Sequence, residues 1–81
     1  MSKVSQSEVV TAVEKVLEMN TGVLSETSRA EDIEGWDSIG QLSILVELDT
    51  LFDGKVANIE EMASADSMPK ILDILKQNLL L

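Results

Sequence analysis

The feature that most constrains the fold is the apolar run SIGQLSILVELDTLF at residues 38–52. Apolar side chains would cover more than half the circumference of a helix built from this run, which is typical of a helix at the centre of a bundle. Asp37 is a favoured N-cap residue whose charge suits the positive end of a helix. The pair Asp53-Gly54 is a stop signal. The run therefore predicts a central helix that begins at Asp37-Ser38 and ends at 53–54.

Two further helices are predicted, one on each side of this run. Ser5 and Glu8 stand at the spacing of a capping box, and apolar residues then recur at helical spacing up to a stop signal near Asn20. Near the other end, Asp66 or Ser67 is placed to cap a last helix with its own apolar stripe. These patterns predict a first helix that ends near Asn20 and a final helix after residue 67.

The segments between these helices predict one long loop and one short helix. Asn58 is placed to cap a brief helix through residues 59–63. Residues 21–37 form a loop that is unusually long for a small domain unless it has a function or is pinned by its own side chains. The expected pins are Val23, Leu24, Ile33 and Trp36. We therefore predict an all-α fold in a single domain, residues 1–81: a small four-helix bundle of three longer helices and one short third helix, with a long loop between helices one and two.

Composition and charge exclude several functions. The 81 residues include no Cys and no His, which removes thiolate chemistry and the commonest general base and metal ligand. We therefore expect neither an enzyme nor a metal site. The net charge of -9 argues against nucleic-acid binding and favours basic partner surfaces. Since no apolar run has the roughly 18 residues of a membrane span and the N-terminus lacks a signal peptide's apolar centre, we expect a cytoplasmic monomer without membrane insertion.

The most informative residues lie where the central helix begins, at Gly35-Trp36-Asp37-Ser38-Ile39. Ser38 stands at the first residue of that helix, where backbone N–H groups have no partner within the helix. An anion attached to the Ser38 oxygen would be stabilised by these donors and by the helix dipole. The position therefore suits a serine that accepts a phosphate-linked group, although an unmodified serine is also common at the start of a helix.

The motif WDSIG followed by QLSILVELDTLF resembles the D-S-L region of acyl carrier proteins and of the related aminoacyl and peptidyl carriers. The resemblance extends over essentially the whole chain. It implies that Ser38 carries a covalent 4'-phosphopantetheine, transferred from coenzyme A by a phosphopantetheinyl transferase. The implied function is to carry acyl or aminoacyl groups as thioesters in lipid or secondary-metabolite biosynthesis. The implied partners are an acyl- or aminoacyl-loading ligase and acyl-transferring enzymes.

Several positions depart from the pattern of fatty-acid carriers. Ile39 replaces the usual leucine, Ser43 and Thr50 occupy positions that are often acidic, and Ala57 stands where proline is common. The W-D-S sequence is similar to that of specialised carriers. These departures bear on which enzymes the chain serves, and they leave the modification of Ser38 as the expectation.

The resemblance also assigns roles to residues around Ser38. Asp37 and Trp36 are expected beside the attachment point, although the favoured role of Trp36 is to anchor the loop against the bundle. Gly40 either permits a close approach or is a tolerated residue. The residues expected to shelter an acyl chain, or else to form ordinary core, are Leu42, Leu45, Val46, Ile59, Met62, Ala63, Ile71 and Leu75. The residues expected to meet partners, or else to form a solvated face, are Ile39, Glu47, Asp49, Glu60 and Glu61.

Two functions of other classes are alternatives to a carrier. The first is an acidic helical interaction module whose Ser38 is never modified. The second is a small hydrolase or transferase that uses Ser38 as its nucleophile. The second lacks a base, because the sequence contains no His and no Lys lies close to Ser38 along the chain.

Overall fold

The computed structural model describes residues 4–81, and in this range the fold is all-α. Its α-helices are α1 (Gln6–Val16), α2 (Ser38–Leu51) and α3 (Met68–Gln77). Two short 3-10 helices, Ala30–Asp32 and Glu60–Ser64, lie in the connections. The all-α class is thus confirmed, with three α-helices in the described range.

The predicted short third helix is the 3-10 helix Glu60–Ser64, so a bundle of four α-helices is not seen. Its backbone bonds run over three residues, from Met62 N to Ile59 O and from Ala65 N to Met62 O. Ile59 rather than Asn58 precedes it, and no side chain caps it. Five residues without a cap cannot supply the successive i→i−4 bonds that stabilise an α-helix, and short 3-10 helices are common in such connections.

Each α-helix begins at the type of residue that the sequence indicates. Ser5 and Glu8 form the predicted capping box of α1. The Asp37 carboxylate accepts from Gly40 N at the start of α2, and the Ser67 hydroxyl accepts from Lys70 N at the start of α3. These caps satisfy backbone donors that have no partner within the helix.

The three helices end in the same manner, with a residue other than glycine in the left-handed conformation. Glu18, Asp53 and Leu79 have φ of 57°, 56° and 60°. In each case the next N–H bonds back to a carbonyl in the last helical turn, as Met19 N does to Glu14 O at 2.9 Å. This is the Schellman geometry. It ends α1 at Val16, so the predicted end near Asn20 was wrong, because the stop is at Glu18 and not at the Asn-Thr-Gly sequence.

The core lies between the three helices, and α2 packs against α1 and the 3-10 helix Glu60–Ser64, while α1 also contacts α3. α2 turns Ile44, Leu48 and the following Phe52 inward, into a core to which the apolar faces of α1 and α3 also contribute. None of the helices within residues 4–81 is long and apolar enough to cross a membrane. The buried apolar residues are Val9, Ala12, Val13, Leu24, Trp36, Ile44, Leu48, Phe52, Val56, Met62, Ala65, Met68, Ile71, Leu72 and Leu75.

The long loop between α1 and α2 is fixed at both ends and in the middle. The buried carboxylate of Glu14 accepts from Gly22 N and Leu24 N, both at 2.9 Å. Leu24 and Trp36 are buried as predicted, whereas Val23 is exposed. In the middle, Arg29 and Ser67 form an isolated antiparallel bridge. These contacts fix the conformation of the loop that leads to Ser38.

Candidate functional site

Ser38 is the first residue of α2 and its side chain is exposed. The preceding Asp37 is the N-cap, and its Oδ1 accepts from Gly40 N at 2.9 Å. Asp37 O accepts from Gln41 N, which closes the first helical bond. The N–H groups of Ser38 and Ile39 belong to the first turn, where the helix offers no carbonyl partner. The serine hydroxyl thus stands in solvent at the positive end of a helix.

The loop before Ser38 lies directly against the first turn of α2, and Gly40 makes this contact possible. A Cβ at position 40 would clash with the carbonyl oxygen of Gly35 and press on the Leu17 side chain at 3.1 Å. Gly40 is therefore required for a close approach, and the group that approaches is the chain's own backbone. The segment 35–37, and with it Ser38, is positioned by this contact.

Trp36 anchors the same loop, and its partner is a residue that sequence reasoning missed. The indole is 5% exposed, and its Nε1–H donates to Gln41 Oε1 at 2.6 Å. The Gln41 amide Nε2 in turn donates to Met62 O and Ala65 O, each at 3.1 Å. The signal that could have indicated Gln41 was an amide within an otherwise apolar run. Buried polar groups are generally hydrogen-bonded, so such a residue calls for a partner.

An open depression of about 580 Å³ adjoins Ser38. It is lined by residues from the start of α2 and the loop before it, from the 3-10 helix Glu60–Ser64 and the residues after it, and by Ala30. The lining residues are Ala30, Trp36, Asp37, Ser38, Gln41, Ala63, Ser64 and Asp66. The depression has polar and apolar lining residues, and Trp36, Asp37 and Ser38 are among them.

A more apolar groove of about 360 Å³ lies farther along α2, between that helix and residues 56–63. Ala63 lines both the depression and the groove, so the two adjoin. The groove's volume lies within the range of small-molecule sites. Its lining residues are Leu45, Val46, Asp49, Thr50, Val56, Ala57, Ile59, Glu60 and Ala63.

The residues expected to shelter an acyl chain lie in three different places. Leu45, Val46, Ile59 and Ala63 line the groove. Leu42 is not among the groove's lining residues, and it is 62% exposed. The others are fully buried core residues that do not line the groove: Met62, Ile71 and Leu75.

Ile39, the apolar residue expected at a partner surface, is exposed on α2 in one row with Leu42 and Val46, two residues that were expected to shelter an acyl chain. Ile39 is 77% exposed, Leu42 62% and Val46 61%. Their spacing of three and four residues places them on one face of the helix. Such a row is a candidate contact surface directly after Ser38.

The acidic residues expected at partner surfaces differ in their surroundings. Glu60 and Glu61 are exposed on the 3-10 helix. The Glu47 carboxylate is 3.7 Å from Lys15 Nζ, so a cation already faces it. The Asp49 Oδ1 accepts from Val56 N at 3.1 Å and from Ala57 N at 2.8 Å. Asp49 therefore has a structural role, because it holds the start of the segment that follows α2. We call residues 56–65 the 56–65 segment.

The electrostatics of the site are dominated by carboxylates. Asp66 borders the depression, and a hydrogen bond from Lys70 Nζ at 2.9 Å holds the pKa of that carboxyl below its ordinary value of 3.8. Asp66 therefore stays ionised at neutral pH. Within residues 4–81, no three acidic side chains are grouped so as to hold a metal ion.

The chain matches no protein-family model, no curated protein and no solved structure. The features that bear on function are the exposed Ser38 at the start of α2, the depression beside it, the adjoining apolar groove, and the exposed apolar row on α2.

Proposed function

We propose that this chain is a carrier protein of the acyl carrier type, with 4'-phosphopantetheine attached to Ser38. The observation that supports this most is the position of Ser38, an exposed serine at the first residue of α2 beside a depression that adjoins an apolar groove. The sequence motif Trp36-Asp37-Ser38 agrees with it.

The residues around Ser38 fit such a group. The N–H donors in the first turn of α2 and the helix dipole would stabilise a phosphodiester on the serine oxygen. Asp37 already caps the helix, so its carboxylate holds the turn in place while the serine oxygen remains accessible. When attached, the group supplies a thiol that holds an acyl or aminoacyl group as a thioester. The chain itself supplies attachment, orientation and recognition.

The apolar groove is the proposed shelter for an apolar cargo. Leu45 lies seven residues after Ser38, about 10 Å along the helix axis. Leu45, Val46 and Ile59 present hydrocarbon to the groove, so burial of an alkyl chain there would be favourable. The groove and the depression meet at Ala63, which gives a path along the surface from Ser38 to the groove.

The proposed partners are a phosphopantetheinyl transferase, an acyl- or aminoacyl-loading ligase and acyl-transferring enzymes. The exposed Ile39 and the exposed acids Glu60 and Glu61 lie on the elements beside Ser38 and suit a partner surface with apolar and basic residues. Glu47 and Asp49 are weaker candidates, since each already has a partner within the chain. In this proposal, the 3-10 helix Glu60–Ser64 takes the place of the third helix of the four-helix fold.

Covalent labelling tests the proposal. Incubation of the unmodified chain with coenzyme A, magnesium and a broad-specificity phosphopantetheinyl transferase should add one phosphopantetheine mass. Ser38→Ala should abolish the addition without loss of helical circular dichroism, because Ser38 is exposed. Ser43→Ala, which removes another hydroxyl from α2, is the matched control and should be modified like the wild type.

Two results would overturn the assignment. The first is mass addition to Ser38→Ala. The second is a wild-type chain that no transferase modifies, which would favour a helical interaction module whose exposed row Ile39, Leu42 and Val46 binds a partner directly.

A further inference from the structure

The 56–65 segment is held to α2 by two polar side chains of that helix. At one end, Asp49 Oδ1 accepts from Val56 N and Ala57 N. At the other, Gln41 Nε2 donates to the carbonyl oxygens of Met62 and Ala65. The apolar groove lies between these two attachments, which fix its outer wall together with the buried side chains of Val56 and Met62.

The spacing of these side chains places the attachments on one line of α2. Gln41, Leu45 and Asp49 follow each other at intervals of four residues, which puts them on the same helical face. Gln41 and Asp49 are about 12 Å apart by helix rise. Leu45 lines the groove midway between them. The groove is therefore bounded along α2 by two hydrogen-bonded clamps, and the Gln41 clamp is the one beside Ser38.

The orientation of the Gln41 amide is fixed by its other contact. Trp36 Nε1–H is a donor only, so Gln41 must present Oε1 to it and Nε2 to the carbonyl groups. Trp36 is itself buried in the core. At the end of the groove nearer Ser38, the position of the wall thus depends on an amide that the indole holds in place.

We propose that Gln41 is a specificity-determining residue: by fixing the wall of the groove it limits the length of the apolar chain that the groove accepts. The inference rests on the proposed function in one respect, that the occupant is an apolar cargo carried on Ser38. Release of the Gln41 clamp should let the wall move outward and admit a longer chain.

Gln41→Glu is the most informative variant. A carboxylate oxygen can still accept from Trp36, but no amide donor remains for the carbonyl oxygens, and the negative charge repels them. Gln41→Asn is a second variant. It adds no charge, but its side chain is shorter by one methylene, so its amide cannot reach the same carbonyl oxygens. Gln77→Glu is the charge-matched control, because Gln77 is exposed at the end of α3, away from the groove.

The test uses the unmodified full chain and two neutral probes, 1-hexanol and 1-decanol, with affinities measured from methyl NMR shifts of Leu45, Val46 and Ile59. Each methylene that enters the groove should raise affinity about fourfold. We expect the wild type and Gln77→Glu to bind decanol only a few-fold more tightly than hexanol. We expect this ratio to rise by about tenfold or more in Gln41→Glu and Gln41→Asn, with faster amide exchange at Met62 and Ala65.

An unchanged ratio in both Gln41 variants would overturn the proposal, as would unchanged amide exchange at Met62 and Ala65. The alcohol measurements need no modification at Ser38. A chain that no transferase modifies but whose alcohol selectivity changes would refute the carrier function and retain the role of Gln41. A chain that the transferase modifies but whose alcohol selectivity is unaltered in the Gln41 variants would support the carrier function and refute the role of Gln41.

Discussion

At the scale of single residues, Gly40 has the most direct control over where Ser38 stands. The Gly35 carbonyl occupies the space that a Cβ at position 40 would need. Gly40→Ala should therefore destabilise the fold by about 1–3 kcal/mol, as overpacking does. This cost should exceed the gain in helix propensity, which is up to about 1 kcal/mol. Urea denaturation followed by circular dichroism measures the change.

Gly35→Ala is the control for this prediction. The new methyl group would lie 3.6 Å from Leu17 O, an ordinary contact. Its effect should stay within about 0.5 kcal/mol, as for most surface substitutions. Equal losses in both variants would mean that general loop rigidity, and not the contact between Gly35 and Gly40, accounts for the effect.

At the scale of elements, Asp49 fastens the connection after α2. Val56 is buried, and Asp49→Ala would leave the Val56 N–H without its acceptor. We expect a loss of about 1–3 kcal/mol in the free energy of unfolding. Asp49→Asn should recover most of it, because its amide oxygen can accept the same bonds. Thermal and urea denaturation of both variants provide the comparison.

Asp73→Ala is the matched control, since it removes the same charge from an exposed position on α3, where the carboxylate accepts from the exposed Gln77 side chain and not from a buried segment. A small effect there and a large one at Asp49 would show that the hydrogen bonds matter and not the charge. If Asp49→Asn were as unstable as Asp49→Ala, the acceptor role would be refuted.

The starts of the helices could be predicted because capping is local. Ser5, Asp37 and Ser67 each bond to a backbone N–H three residues away, so a window of a few residues contains the whole signal. The end of α1 could not be predicted in this way. Glu18 adopts the left-handed conformation that glycine or asparagine usually supplies, and nothing in its side chain indicates this.

The site shows the same division between local and distant contacts. The position of Ser38 at the start of α2 followed from the cap beside it. The face of α2 that meets the groove did not follow, because apolar residues surround this helix and periodicity cannot choose between Leu42, which is exposed, and Leu45, which is half-buried. Gln41 was missed because the carbonyl groups that its amide binds lie 21 to 24 residues farther along the chain.

At the scale of the whole molecule, charge repulsion opposes folding. The chain has 15 acidic residues against 6 basic ones. Lys15 and Lys70 form ion pairs with acidic residues at the surface, and such pairs contribute little to the free energy of unfolding. Raising NaCl from 10 to 300 mM should screen the repulsion and increase Tm. In a domain of this size, about 1 kcal/mol corresponds to about 4–8 °C.

Differential scanning calorimetry at several salt concentrations checks this expectation. The double variant Glu60→Gln and Glu61→Gln removes two exposed charges and should reduce the dependence of Tm on salt. A wild-type Tm that is the same at low and high salt would show that the acids are too far apart to repel each other measurably.

The bridge between the long loop and the start of α3 has a consequence for the timing of synthesis. Ala30 N bonds to Asp66 O, and Met68 N bonds to Ser28 O, so the loop that leads to Ser38 is completed by residues that are translated later. At about 5–20 residues per second, the ribosome needs roughly 2–6 s to proceed from Ser38 to Met68. Until Met68 has been translated and has left the ribosome, the chain around Ser38 lacks its finished surroundings. An enzyme that recognises the folded loop must therefore wait for the start of α3.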